Sequence, residues 1–220
     1  MTIRFATLLA LPALAGLLAT TATAQTAPTA AAPPATSEQA PAPAPKALVR
    51  VTLTTSEGII VLALEKERAP ITTANFLHYV DTKRFDGIAF YRAMRFTPTA
   101  GLVQAGLRND PKKLFPPIKL EPTSQTGLSH VNGMISMARA APDSATADFF
   151  ITCEPMLSLD AKAGGDPGFA AFGHVEQGMD VVLKILNQPA GDDPTVPAMK
   201  GQMLLAPVKI LTARRSDPKP

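Results

Sequence analysis

Few side chains in this 220-residue sequence are of a kind that does covalent chemistry. Cys153 is the sole cysteine, so it cannot close an internal disulfide. It follows the apolar run Phe149-Phe150-Ile151, where a small packing residue is the natural reading. His78, His130 and His174 are scattered. No Cys/His spacing or acidic cluster has the pattern of a metal site, and neither a metal nor another cofactor is expected. The remaining chemistry is non-covalent. Arg92 ends the run Phe90-Tyr91-Arg92, and a guanidinium stays charged at any relevant pH with its donors in a rigid fork. It is either a surface member of an ion pair or a fixed donor in a binding groove, and strand alternation alone does not separate the two. The second suggestive stretch is Gly133–Ile151, GMISMARAAPDSATADFFI. It begins and ends as apolar strand and encloses a polar loop of small residues that a compact core would not need.

The elements that must position these residues are short. VRVTLTT over Val49–Thr55 alternates apolar and polar residues as a half-buried strand does. The turn Ser56-Glu57-Gly58 joins it to a more apolar strand, Ile59–Leu64, in a hairpin. Pro70 suits the first turn of a helix, and Thr73, Phe76, Leu77 and Val80 lie on one face of it. Strands are expected over Ile88–Met94, Leu102–Gly106, Phe149–Cys153, Ala170–Val175 and Leu204–Thr212, with a proline-broken connection over Leu107–Gly127. Asn132-Gly133 is a hairpin-type turn signal, and a glycine-rich loop surrounds Gly164–Gly168. Met179, Val182, Leu183 and Leu186 form the stripe of a second helix that ends at Gln188-Pro189. About eight strands and two helices suit a closed, mainly β barrel with helices over its open ends.

The 21 basic and 18 acidic residues leave a net charge of +3, without the basic stripe that nucleic acid demands. Arg214-Arg215 and Lys112-Lys113 read as solvated charge. Arg4 followed by the apolar run Phe5–Leu18 and the small residues Ala22-Thr23-Ala24 has the form of a signal peptide cleaved after Ala24. The apolar run is too short to span a membrane comfortably. Gln25–Lys46 is almost entirely Ala, Pro, Thr, Ser and Gln, and such a segment buries too little apolar surface to order itself. The expected organisation is therefore a signal peptide over 1–24, a Pro/Ala-rich tether over 25–46, a folded domain over 47–213 and a polar tail over 214–220. The implied address is periplasmic or secreted, with no stable membrane insertion after cleavage.

The motifs, taken in order, resemble the cyclophilin family of peptidyl-prolyl cis-trans isomerases. They are the EG turn between the first two strands, APITTANFLHYV, FDGIAFYR, VQAG, the SMAR…FFI stretch and FAAFGHVEQGMDVVLKI. The resemblance covers roughly Val49–Leu211 and implies an eight-stranded antiparallel β-barrel with two capping α-helices. It implies isomerase activity on proline-containing unfolded or flexible polypeptides by a monomer. Arg92 stands at the family's catalytic arginine. Phe150 matches the proline-pocket phenylalanine, with Phe149 then facing the other side of its strand, and Leu159 matches the pocket leucine. Leu102 replaces the pocket methionine, and Phe169 falls where many members carry His or Tyr. Ala138, Arg139 and Ala140 match the stretch that meets the peptide backbone, and Gln104 matches the glutamine that bonds it.

The pattern departs from the family in three places. Asp148 stands where glutamine is usual, and a carboxylate accepts but does not donate. It would either draw Arg92 off the substrate or hold it in place. The link from Arg92 to Gln104 is longer than in the family, with Gly101 aligned to a second pocket phenylalanine that Phe96 could replace. Ser158 takes the place of a bulky aromatic, so a wider pocket is expected. These departures keep a second reading open, a weakened or inactive proline-peptide-binding module on the same fold.

Overall fold

Eight strands close on themselves in the computed structural model, which describes residues 48–108 and 110–216. The signal peptide and tether expected at the N-terminus lie outside the described residues. The strands are β1 (Val49–Thr55), β2 (Gly58–Leu64), β3 (Ala89–Thr97), β4 (Ala100–Gly106), β5 (Met134–Met137), β6 (Phe149–Thr152), β7 (Ala170–Gln177), a two-residue β8 (Ala190–Gly191) and β9 (Met203–Ser216). Neighbours run β1-β2-β7-β5-β6-β4-β3-β9, all antiparallel, and β9 pairs back onto β1. Closure removes the unpaired edges that an open sheet of this size would expose. β8 adds only a short pairing to β9.

The last strand extends beyond the expected limit. Arg214 and Arg215 sit opposite Thr52 and Val51 of β1, so the domain includes residues assigned from sequence to a polar tail. Nor are they simply solvated. Arg214 pairs with Asp86 at 2.7 Å and Arg215 with Asp81 at 2.5 Å. Both sites are half exposed, so each pair contributes little to stability.

Three helices accompany the barrel: α1 (Pro70–Asp81), the single turn α2 (Thr123–Thr126) inside the proline-broken connection, and α3 (Met179–Leu186). The stripe expected on α1 is buried along its length. Its exposed amides at the N-terminus find no cap in their own segment. The Glu121 carboxylate, fifty residues away, accepts from the amides of Ile71 (3.0 Å) and Thr72 (2.7 Å) and from Thr72 Oγ1 (2.6 Å). A negative group at that end also suits the helix dipole. On α3, Val182 and Leu186 are fully buried while Met179 and Leu183 pack at the margin of the core.

Inside the barrel Phe76 is the hub. Its ring lies 5.0 Å from Phe85 and 5.3 Å from both Phe149 and Phe172, in tilted or edge-on arrangements that suit the quadrupoles of aromatic rings. Cys153 belongs to this core, and burial pushes its thiol up to about 12. That leaves it a packing residue with no thiolate at neutral pH.

Candidate functional site

On β3 the chain breaks strand alternation. Phe90 sits opposite Ala105 and Arg92 opposite Gln104, so two steps on β3 match one on β4 and Tyr91 is the extra residue of a bulge. Phe90 is packed in the barrel core, whereas Arg92 and Tyr91 line the outer face. In an unbroken strand Phe90 and Arg92 would share one face. The bulge therefore resolves what alternation left open, and puts the guanidinium in a groove.

The register then lays a row across the barrel wall: Met203, Arg92, Gln104, Phe150 and Ser136 are successive partners on β9, β3, β4, β6 and β5. Arg92 is partly buried, and desolvation lowers its affinity for the proton from a very high starting value. It remains a cation. Gln104 Oε1 accepts from Arg92 Nη1 at 2.8 Å, while Gln104 Nε2 donates to Tyr91 Oη at 2.6 Å. Gln104, expected from sequence to bond the peptide, has its amide committed first to Arg92 and Tyr91.

Beside the row lies a cavity of about 310 Å³ lined by Met94, Leu102, Phe150, Leu159 and Phe169, with Arg92 and Gln104 at its rim. Leu102, Phe150 and Met156 form an apolar cluster separate from the barrel core. The Phe150 ring meets Phe169 edge-on at 5.6 Å, and Leu159 O accepts from Phe169 N at 2.9 Å, which ties the two walls together. A second cleft of about 540 Å³ adjoins it, with Tyr91, Ala140 and Asp148 among its lining. Ala138 and Arg139 border both cavities. The Arg139 guanidinium packs 4.9 Å from the Phe169 ring and bonds Gly168 O and Asp166, which fastens the glycine-rich loop.

Behind Phe150 a buried polar set supports the pocket floor. His130 stacks on the Phe150 ring with centroids 5.9 Å apart. Its Nδ1 lies 2.5 Å from Asp160 Oδ1 and its Nε2 2.9 Å from Ser136 Oγ, and Ser129 Oγ also donates to Asp160. A neutral ring donating from Nδ1 accepts from the serine at Nε2. The Ser-His-Asp order is that of a nucleophilic triad, but Ser136 and His130 are fully buried. No substrate carbonyl reaches them, so the set is a buttress. Sequence reading put His130 among scattered structural histidines; only the fold brings it to the pocket.

A family model described as "Cyclophilin type peptidyl-prolyl cis-trans isomerase/CLD" matches residues 50–214. The chain belongs to the cyclophilin family. Its sequence is 39% identical to peptidyl-prolyl cis-trans isomerase A of Dickeya dadantii over 148 residues, 66% of this chain and 75% of that protein. It is 35% identical to a peptidyl-prolyl cis-trans isomerase of Acinetobacter baylyi over 166 residues, 74% and 84% of the two chains. Among solved structures, a Cryptosporidium parvum cyclophilin superposes with a TM-score of 0.61 at 18% identity, covering 79% of this chain and all of that one.

Each departure of this cyclophilin from the family pattern has a physical outcome in the structure. Asp148 neither draws off nor holds Arg92 through any hydrogen bond found on the guanidinium, which goes to Gln104, Gln202 and Met94. Asp148 Oδ1 instead accepts from the Arg108 amide at 3.1 Å. It fits there because residue 106 is glycine, where an added Cβ would lie 1.7 Å from that oxygen. Phe96 does not swing into the pocket. It is 62% exposed and does not line the cavity, whereas Met94 does. Gly101 carries no pocket side chain because a Cβ there would lie 2.0 Å from Met94 O. Ser158 is exposed on a 3-10 turn that holds Leu159 at the pocket. Met94, Met199 and Gln202 were missed from sequence. The two methionines carry no distinguishing signal, and Gln202 lies in an irregular loop far along the chain.

Proposed function

We propose that this cyclophilin accelerates X–Pro isomerisation in exported polypeptides, working as a periplasmic or secreted monomer on unfolded or flexible segments. Arg92 at the mouth of the small apolar cavity is the observation that carries the reading. The uncatalysed barrier, about 18–20 kcal/mol, is the amide resonance itself, and the reaction takes roughly tens to hundreds of seconds unaided. No nucleophile is required. The proline ring enters between Phe150, Leu102, Leu159 and Phe169, which fixes one side of the bond. As the bond twists, the proline nitrogen regains a lone pair and becomes a better acceptor. Arg92 keeps an Nη1 N–H beyond its bond to Gln104 Oε1, and an Nη2 N–H faces only the weak sulfur acceptor of Met94 at 3.8 Å. These donors bind the twisted nitrogen better than the planar one, which is differential stabilisation of the transition state.

The exported role rests on Arg4, the apolar run Phe5–Leu18 and the small residues before Gln25. The tether over 25–46 would then give the domain reach from its N-terminus. Exchange spectroscopy on a short X–Pro peptide tests the activity. The Arg92→Ala variant is expected to lose roughly 10²–10³-fold in kcat/KM, as removal of one preorganised donor does. Equal rates for wild type and variant would overturn the reading. The alternative, a weakened proline-peptide-binding module, predicts peptide binding without exchange in the same experiment.

A further inference from the structure

The segment 187–202 between α3 and β9 is long and irregular, yet it is internally fastened. Asp193 Oδ1 accepts from Thr195 N at 2.9 Å and Thr195 Oγ1 at 2.6 Å. Met199 N donates to Val196 O at 2.8 Å, Gln202 N to Met199 O at 3.0 Å, and Gly201 N to Asp192 Oδ1 at 2.7 Å. The rest of the domain holds it near its middle and at its end. Arg108 pairs with Asp193 at 3.3 Å, and Ala93 N donates to Gln202 O at 2.9 Å.

This fastening brings the Gln202 side chain to Arg92. Gln202 Oε1 lies 2.8 Å from Arg92 Nε and 2.6 Å from Arg92 Nη2. A single carbonyl oxygen thus fills the side fork of the guanidinium, while Gln104 Oε1 holds Nη1 from β4. Two acceptors on different elements fix the plane of the cation and its rotation about the side chain. Both are neutral amides, so they orient the charge without cancelling it, which a carboxylate would do. Met199 of the same segment borders both cavities.

We propose that Gln202 is a positioning residue for Arg92, and that segment 187–202 is a brace that turns the Nη end of the guanidinium toward the proline cavity. This rests on the isomerase reading above. It accounts for a detail of the segment: it is fastened where it meets the row of site residues, through Gly191 opposite Met203 and through Gln202 against Arg92. It also predicts an asymmetry. Loss of the Gln202 side chain should impair the transition state more than peptide binding, because Gln202 is not among the residues that line the cavity.

The test uses the mature protein with Gln202→Leu and Gln202→Glu. In Gln202→Leu, kcat is expected to fall about tenfold or more, the usual scale for a hydrogen bond to a charged group, with KM changing little. Gln202→Glu keeps the acceptor, and its rate should lie between that of Gln202→Leu and wild type. The Arg92 Nε–H resonance is expected to exchange slowly in wild type, to shift and exchange rapidly in Gln202→Leu, and to persist in Gln202→Glu. Adding Gln202→Leu to Arg92→Ala should cost nothing further, since the two act as a unit. A wild-type kcat in Gln202→Leu, or a further loss in the double variant, overturns the proposal. An unmoved Nε–H resonance overturns it regardless of rate. If wild type proves inactive while that resonance responds as expected, the brace stands and the isomerase reading falls.

Discussion

Phe149 and Phe150 are neighbours in the chain and belong to different halves of the molecule. Phe149 is sealed in the barrel among Phe76, Phe85 and Phe90, with ring centroids 5.3, 5.6 and 6.1 Å away. Phe150 faces outward into a small cluster with Leu102 and Met156. The first ring is surrounded by apolar groups on every side. The second is supported from behind by a polar set, His130 with Asp160 and Ser136, and leaves its front to a cavity. The inner face thus stabilises the fold by close packing, while the outer face presents an apolar wall to the cavity. That surface is tolerable because it is small and because the elements behind it are fixed by the barrel.

Alanine at the two positions should divide these roles. Phe149→Ala opens a void at the hub and is expected to cost about 3–5 kcal/mol of stability, measured by chemical denaturation. Phe150→Ala removes a pocket wall and should lower kcat/KM by roughly 10- to 100-fold, the scale of one buried aromatic contact. Its stability cost should be clearly below that of Phe149→Ala. Equal stability losses for the two would erase the contrast.

The polar support behind Phe150 should make this half sensitive to acid. Burial holds the His130 proton affinity below its ordinary value, and Asp160 is likewise held below the usual carboxylate range despite its own desolvation, through its bonds to Ser129 and His130. Both groups therefore bind protons more weakly folded than unfolded. Their contribution to stability is fully present above pH ~6.5, the histidine's unperturbed value, and declines as pH falls below it, with the Asp160 share lost lower still. Melting temperature should drop more steeply from pH 7 to pH 5 in wild type than in His130→Asn, which has no proton to gain. Parallel profiles would remove His130 from the acid response.

The smallest effect is expected at Asp148. Asp148→Asn keeps an acceptor oxygen for the Arg108 amide while losing the charge, and no hydrogen bond of Arg92 goes to this residue, so kcat/KM should move by no more than about threefold, under 1 kcal/mol. A large gain in rate would mean that the carboxylate does restrain Arg92, and would favour the weakened-module reading.

Much of this was legible along the chain. Alternation placed β1, and the stripes on Pro70–Asp81 and Met179–Leu186 placed the two capping helices, because their periods are local properties of the backbone. The motifs also picked out Arg92, Gln104, Phe150 and Leu159, which the fold brings to one cavity. What the chain alone left open depended on its partners in space. Whether Arg92 faced solvent or groove turned on an extra residue, Tyr91, measured against β4. The cap of α1 came from Glu121, and the donor to Asp148 was the Arg108 amide, made reachable by Gly106. Gln202 met Arg92 only because β9 pairs with β3 and draws the preceding loop across the site. Period and residue type are written in sequence. Register, closure and the meeting of distant loops follow from three-dimensional packing, and here they decided how the Arg92 guanidinium is oriented at the cavity.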